Sequence, residues 1–367
     1  MANISLYVNQ CVDLISTYII NTLKMGDAFN AKESASFMEW GEPGVGKSAA
    51  TKAIAKKVEE AFPNKKVAIT DVRLLLFNPV DLRGIPVPDA ERKFAKWLMP
   101  QIFNMNPSKD VVNILMLDEI SAAPPSVQAA AYQLTLDRQV GEHKLPDNCY
   151  IICAGNRLQD KSVAYKMPKA LANRLVHFDV TCDLDDWKVW ALNNGINEKI
   201  IGFLNQYPNK LKIFDPNSDD NAFPTPRTWE KVSQFIDIFG GISPAYNAIA
   251  GAIGLGVSGE FKTYCDIYTS LPDIDRIFDG TDKEPPETIN SKPDVAYALS
   301  SSISYKAARI NDKKKLENAL DYVMKFPEEF SILTIKDMLT VSDMKKKLLQ
   351  FPKFLKWLRE NQDLIAS

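Results

Sequence analysis

Short apolar runs alternate with longer segments of helical spacing over the first half of the chain. Between residues 36 and 180 the apolar runs have the length of strands. Several are almost continuously apolar, which indicates strands covered on both faces. The pattern predicts a parallel α/β sheet of five strands: Phe37–Trp40, Val67–Asp71, Val111–Leu117, Tyr150–Ala154 and Val176–Val180.

Helical periodicity takes over after Thr181. It predicts helices over Asp186–Asn193, Glu198–Gln206 and Arg227–Phe239, and a linker over Asp279–Pro293, where Asp, Pro, Glu and Ser are frequent. We therefore expect four parts: an N-terminal helix packing on the core (1–35), an α/β domain (36–181), a helical lid subdomain (182–278), and a linker with a helical C-terminal region (279–367).

Two segments could be taken for a signal peptide or a membrane span. Residues 1–25 carry no basic start and no cleavage pattern, and Leu6, Cys11 and Ile15 recur at helical spacing, so a helix is predicted there instead of a signal peptide. The uncharged stretch Ile238–Gly259 contains many glycines and serines, which predicts a loop and a small-residue helix instead of a membrane span. No membrane insertion is expected.

Composition narrows the class of protein. The chain has 367 residues with a formal net charge of −2, so the overall charge gives no case for nucleic-acid binding. Its five cysteines include no Cys-x-x-Cys pair, which favours a reducing cytoplasmic location over a disulfide framework. The two histidines have no zinc-ligand spacing.

A phosphate-binding loop follows the first predicted strand. The segment has the form Gly-x-x-x-x-Gly-Lys-Ser and precedes a helical stretch, the context that distinguishes a P-loop from a chance match. Backbone N–H groups of such a loop converge on phosphate oxygens, Lys47 reaches the β and γ phosphates, and Ser48 ligates Mg²⁺. The predicted nucleotide-binding residues are Glu42, Pro43, Gly44, Val45, Gly46, Lys47, Ser48 and Ala49.

Polar residues end two later strands. Asp118 and Glu119 end the strand that begins at Val111, where two acids are costly unless a cation or ligand is near. Asp118 is the expected partner of the metal through water, and Glu119 the expected base for an attacking water; solvated acids at a strand end are the alternative. Asn156 follows the next strand and could hold the lytic water or serve only as a turn residue.

The P-loop, the acid pair and Asn156, in this order, resemble the AAA+ ATPases. The sequence between them resembles the MoxR family. The segment Asp71–Pro86 looks like the family pattern in which a β-hairpin is inserted in the second helix, here Ile85–Val87 and Phe94–Leu98. Residues 137–147 look like a second hairpin. The resemblance implies a P-loop AAA+ core followed by an α-helical lid and a helical tail.

The resemblance also implies roles for particular residues. Asn156 becomes sensor 1, and Arg174 becomes an arginine finger that reaches the neighbouring subunit's γ-phosphate; a helix C-terminal cap is the alternative. Arg227 resembles sensor 2, and a surface arginine at a helix start is its alternative. Arg83, Arg138 and Arg157 could be inter-subunit contacts or simple salt bridges.

The expected function is Mg²⁺-dependent ATP hydrolysis in a ring, expected to be a hexamer, that remodels a protein partner. The resemblance implies a partner with a von Willebrand A domain. A nucleic-acid motor or restriction-type NTPase is one alternative, for which the only basic candidates are Arg92, Lys93 and Lys96. A nucleotide-switched assembly scaffold is another. The lysine-rich tail near Phe354 predicts the solvated face of a packed helix more than a membrane or nucleic-acid segment.

Overall fold

The computed structural model describes residues 3–26, 29, 31–160, 165–341 and 343–361. The chain folds as two compact units, Met1–Cys182 and Asp183–Ser367. The finer division of the chain into four parts stays a prediction.

The first unit is built on a parallel sheet of six strands. Each neighbouring pair of strands is parallel, as expected when helices cover both faces. In spatial order the strands are β1 (Ile4–Tyr7), β10 (Leu175–Thr181), β2 (Ser36–Trp40), β9 (Cys149–Gly155), β6 (Val111–Asp118) and β3 (Lys66–Arg73). The predicted α/β class and all five predicted strands are confirmed.

The sixth strand corrects the prediction for the N-terminus. Leu6 lies in β1 and pairs with Val180, and the helix begins only at Val8. β1 has four residues and lies at an edge of the sheet, so it is too short and too exposed to show an alternating pattern. The helical spacing of Cys11, Ile15 and Ile19 is real, because all three side chains are buried on one face of the helix.

Helices and two small hairpins complete the first unit. Residues Ala50, Ile54 and Val58 recur every fourth position and are buried on the inner face of the helix that follows the P-loop. The helices are α1 (Val8–Lys24), α2 (Lys47–Ala61), α3 (Pro79–Arg83), α4 (Pro125–Asp137) and α5 (Lys169–Ala172); the hairpins are β4 (Ile85–Pro88) with β5 (Ala95–Leu98), and β7 (Gln139–Val140) with β8 (His143–Lys144).

The second unit is helical. Its core is aliphatic and aromatic, and Trp229 is completely buried in it. The helices are α6 (Leu184–Asn193), α7 (Glu198–Gln206), α8 (Pro226–Phe239), α9 (Ile242–Ile253), α10 (Leu255–Asp266), α11 (Ile274–Asp279), α12 (Pro293–Ala307), α13 (Lys313–Val323), α14 (Glu328–Leu339), α15 (Met344–Leu348) and α16 (Pro352–Glu360).

The uncharged stretch Ile238–Gly259 contains more helix than expected. It includes the end of α8, the whole of α9 and the start of α10, with a break at Gly254, where φ is +83°. Within the described part of the chain, no helix has the length and apolar character needed to cross a membrane.

The segment predicted as a linker packs into the core of the second unit. Ile289 is 3% exposed and belongs to the same cluster as Phe278 of α11 and Leu299 of α12. Phe354 of α16 joins this cluster, and Lys353 of the same helix pairs with Asp321 at 2.8 Å. The tail therefore has the packed apolar face and solvated basic face that its spacing predicts.

Candidate functional site

The P-loop joins the end of β2 to the start of α2. Gly44 and Gly46 have φ of +78° and +117°, values that L side chains rarely adopt, so the loop needs glycine at both positions. α2 begins at Lys47. The loop's amides and the N-terminal turn of α2 therefore form the type of cradle that holds phosphate. Of the other loop residues, Val45 is buried, Pro43 is half-buried and Ala49 is exposed.

Lys47 follows the loop as the first residue of α2 and is buried. Its Nζ donates hydrogen bonds to the carbonyl oxygens of Gly41 (2.6 Å) and Glu42 (3.0 Å) and to Oδ1 of Asn156 (3.1 Å). The ammonium group thus bridges the P-loop and the end of β9. The backbone N–H of Gly41 also donates to the carbonyl oxygen of Gly155 at 3.2 Å, which fixes the two segments side by side.

The acidic residues lie at the same edge of the sheet. The hydroxyl of Ser48 donates to Oδ2 of Asp118 at 3.0 Å. A hydroxyl and a carboxylate at this spacing are the oxygen ligands that Mg²⁺ prefers, directly or through water, so the donor set fits the expected cation. Among the described residues, no separate cluster of His, Cys, Asp or Glu side chains is arranged to hold a metal ion.

Glu119 adopts a left-handed backbone conformation directly after β6. Its φ is +58°, which is uncommon for a residue with a side chain and recurs at functional sites. The turn is held by hydrogen bonds from the N–H of Glu119 to Oδ1 of Asp118 (2.8 Å) and from the N–H of Ala122 to the Glu119 carbonyl (3.0 Å). These bonds hold the backbone of Glu119 beside the Ser48–Asp118 pair.

Ser121 supports Asn156 and was not predicted from sequence. Its buried hydroxyl accepts a hydrogen bond from the Asn156 N–H at 2.9 Å. A Cβ at Gly155 would approach the Ser121 Oγ to 2.8 Å, so a larger residue there would have to displace the Ser121 side chain. The Gly155-Asn156 pair and a serine after the acid pair are the sequence signal for this contact.

Glu39 is a second residue that sequence reasoning missed. It is completely buried in β2, next to the last residue of the strand, and the thiol of Cys11 donates to its Oε1 at 3.3 Å. Burial raises the pKa of Glu39 to about 7, although the Cys11 hydrogen bond and the charge of Lys47 act in the opposite direction. A single glutamate in an apolar strand gives no pattern, which is why only the structure identifies it.

Arg157 ties the P-loop to the residues after β9. Its guanidinium lies 3.0 Å from Glu42 and 3.0 Å from Asp160, and the carboxylate of Asp160 is almost fully buried. Burial alone would lower the pKa of Arg157, but its contacts with Asp160 and Glu42 outweigh that effect and raise it. Arg157 therefore forms salt bridges within its own chain, which is one of the two roles considered for it from sequence.

Arg138 makes neither of the contacts considered from sequence. It is 5% exposed, and its guanidinium donates to the backbone carbonyl oxygens of Ser34 (2.7 Å) and Cys149 (3.2 Å). Arg138 thus stabilises the interior of the first unit instead of forming a salt bridge. Arg83 is exposed at the last position of α3.

Arg174 and Arg227 belong to different units. Arg174 is exposed two residues after α5, and its guanidinium carbon lies 4.8 Å from the centre of the Tyr132 ring. Arg227 lies in the second unit as the second residue of α8 and is exposed. The N-terminus of α8 is capped by Thr225, whose hydroxyl accepts from the N–H of Thr228 at 3.1 Å.

Comparison with known protein families identifies the part of the chain that carries this site. Residues 37–177 match the family described as "ATPase family associated with various cellular activities (AAA)". The match covers less than half of the chain. The matched segment includes the P-loop, the acid pair, Asn156 and Arg174, and ATP hydrolysis is the activity that this match supports.

Similar solved structures are distant. PCH-2 from C. elegans is 15% identical with a TM-score of 0.34, over 72% of this chain and 64% of its own. RuvB from Thermotoga maritima is 13% identical with a TM-score of 0.37, over 68% and 67%. S. cerevisiae Hsp104 in complex with casein is 15% identical with a TM-score of 0.35, over 65% and 43%.

The chain therefore spans less than two thirds of the PCH-2 and Hsp104 chains that it matches. The search of curated proteins gave no significant match.

Proposed function

We propose that this chain hydrolyses ATP with Mg²⁺ as a subunit of a ring, and that the ring remodels a protein partner. The observation that carries the proposal is the convergence of Lys47, Ser48, Asp118 and Asn156, joined by hydrogen bonds of 3.1 Å or less at one edge of the sheet. These are the side-chain types that phosphoryl transfer requires: a cation, a metal-binding pair and a polar group for the attacking water.

Each residue has a distinct role in this proposal. Lys47 exchanges its present carbonyl and amide acceptors for phosphate oxygens. Ser48 and Asp118 would hold Mg²⁺, which would supply positive charge to the phosphate oxygens of the nucleotide. Glu119 accepts a proton from the attacking water, and Asn156 orients that water, since it stays anchored by Ser121 when Lys47 leaves it.

Arginines from two places complete the proposed site. Arg227 acts as sensor 2 on the nucleotide of its own subunit, and Arg174 acts on the nucleotide of the neighbouring subunit. The exposure of Arg174 supports a role outside its own chain, because an exposed guanidinium is free to meet a second subunit. Hydrolysis should then depend on assembly, for which a hexameric ring is proposed.

The β4–β5 hairpin is the proposed contact with the partner. Ile85, Phe94 and Leu98 are 62%, 74% and 57% exposed, which is an unusual concentration of apolar side chains on a small hairpin. Such a surface suits a protein partner, and the family resemblance suggests one with a von Willebrand A domain. Lys93 at the tip is paired with Glu91 at 3.0 Å, which reduces the positive charge available for nucleic acid.

The first test measures the mass of the assembly together with its ATPase activity. Light scattering without nucleotide and with a slowly hydrolysed ATP analogue should show a nucleotide-promoted ring, and ATPase activity per subunit should rise with protein concentration. Glu119→Gln should bind ATP and assemble but hydrolyse poorly, while Lys47→Ala should lose binding. A monomer whose activity is unchanged on dilution would refute the ring mechanism; stimulation by DNA would favour a nucleic-acid motor.

A further inference from the structure

Trp40 and His177 connect the strand before the P-loop to the strand after Arg174. Trp40 is the last residue of β2, directly before Gly41 of the loop. Its indole Nε1 donates a hydrogen bond to Nδ1 of His177 on β10 at 2.9 Å. The planes of the two rings are inclined by only 15° and their centres are 6.1 Å apart, so the rings meet edge to edge through this hydrogen bond. The indole and the imidazole are therefore fixed relative to each other.

The second nitrogen of His177 is also used. Its Nε2 lies 2.7 Å from the carbonyl oxygen of Ala172. An indole N–H can only donate and a carbonyl can only accept, so Nδ1 is the acceptor and Nε2 carries the proton. The imidazole is thus held in one neutral tautomer by a partner on each side.

Ala172 is closely connected to Arg174. It is the last residue of α5, where a carbonyl has no partner further along the helix. The N–H groups of Asn173 and Arg174 donate to the carbonyls of Lys169 (3.0 Å) and Leu171 (3.1 Å), which makes the turn compact. A displacement of the Ala172 carbonyl therefore displaces the backbone of Arg174.

We propose that His177 is a positioning residue that couples the P-loop of one nucleotide site to the arginine finger offered to the next site. This inference rests on the proposed function, in which Arg174 acts on the neighbouring subunit. The connection runs from the P-loop through Trp40 and the imidazole to the Ala172 carbonyl, entirely within one subunit. Occupancy of one site would then adjust the finger at the adjacent site.

Two substitutions separate the hydrogen bonds from the ring. His177→Phe keeps an aromatic ring against Trp40 but removes both hydrogen bonds. His177→Gln offers an amide oxygen to Trp40 and an amide N–H to Ala172. We expect His177→Phe to lower kcat roughly tenfold to a hundredfold, the range for a catalytic group displaced by about 1 Å, with KM for ATP changed less than about threefold. His177→Gln should recover most of kcat.

Mixed rings then assign the effect to the finger. Lys47→Ala subunits offer a finger but bind no nucleotide, and Arg174→Ala subunits bind nucleotide but offer no finger. Mixing the two should restore hydrolysis that neither has alone. Adding His177→Phe to the Lys47→Ala subunits should lower the restored rate roughly tenfold or more. His177→Phe in the Arg174→Ala subunits should lower the restored rate clearly less, since those subunits have no finger to position.

The outcomes are distinct. If the parent mixture restores no activity, the trans role of Arg174 fails, and the inference fails with it. If the mixture is active but His177→Phe costs the same in either partner, His177 is merely structural and the inference alone is refuted. Normal activity with His177→Phe in the finger-donating subunits would also refute it. Melting temperature and nucleotide affinity of each variant, measured separately, show whether the subunits are folded.

Discussion

The buried carboxyl group of Glu39 gives the first unit a specific pH dependence. Glu39 has an ordinary pKa of 4.5, and burial raises it to about 7. The charge of Asp118 raises this pKa further, whereas the Cys11 hydrogen bond and the charge of Lys47 lower it. Oε2 of Glu39 has no hydrogen-bond partner among the described atoms, so the ionised form is poorly stabilised.

Proton binding decides whether Glu39 makes the fold more or less stable as the pH rises. The folded state binds the proton of Glu39 more tightly than the unfolded chain does, so this group stabilises the fold relatively at low pH. This stabilisation of the fold is complete below about pH 4.5 and is lost as the pH rises through about 7. The difference between the two pKa values corresponds to about 3 kcal/mol, at about 1.36 kcal/mol for each pH unit.

Glu39→Gln is the informative substitution, because the amide has nearly the same shape and no charge. At pH 5 the variant should match the wild-type protein within about 1 kcal/mol, and at pH 9 it should be more stable by about 3 kcal/mol. Urea unfolding across this pH range would measure the difference. Hydrogen exchange of β2 amides would report the first unit separately from the second.

The matched control is Glu60→Gln on α2, where the carboxylate is exposed and its nearest lysine nitrogen is 4.0 Å away. This control should leave the pH dependence of unfolding within about 0.5 kcal/mol of wild type. The reasoning about Glu39 is wrong if wild type and Glu39→Gln show the same dependence. It is equally wrong if the wild-type protein gains stability over the variant as the pH rises.

Two ion pairs give further predictions. Lys188 lies 2.8 Å from Asp337, both side chains buried, and 3.2 Å from the exposed Asp185. Asp337→Ala should cost about 3–5 kcal/mol of unfolding free energy, because a buried ammonium loses its main partner, whereas Asp185→Ala should cost under about 1 kcal/mol; urea unfolding compares them, and equal costs would contradict this. Glu42→Arg should weaken nucleotide affinity, measured with a fluorescent ADP analogue, and adding Arg157→Glu should restore part of it. An additive loss in the double variant would mean that the pair does not act as a unit.

Local sequence was enough to predict the elements of the nucleotide site. The strands that end at Trp40, Asp118 and Gly155 are mostly apolar, and a parallel sheet brings their carboxyl ends to one edge. The contacts of Lys47 with Asn156 and of Ser48 with Asp118 follow from that geometry. α2 begins directly after the P-loop, where Gly44 and Gly46 adopt the positive φ values that residues with side chains rarely adopt.

Local sequence patterns do not predict contacts between residues that are far apart in the chain. From sequence, Arg138 could be an inter-subunit contact or a simple salt bridge, yet it is buried and donates hydrogen bonds to the distant carbonyls of Ser34 and Cys149. Ile289 lies in a segment of turn-forming residues and still joins the core of the second unit. In both cases burial depends on partners far along the chain.

Local patterns predict the class of fold and the residue types at the phosphate edge, because the spacing of apolar residues and the glycines of the P-loop act over short stretches of chain. The folded protein adds three features that no local pattern predicts: β1 joins the sheet, Glu39 is buried inside it, and His177 lies between Trp40 and Ala172. The reason is physical: a hydrogen bond between residues over a hundred positions apart, as between Trp40 and His177, leaves no periodic trace in the chain.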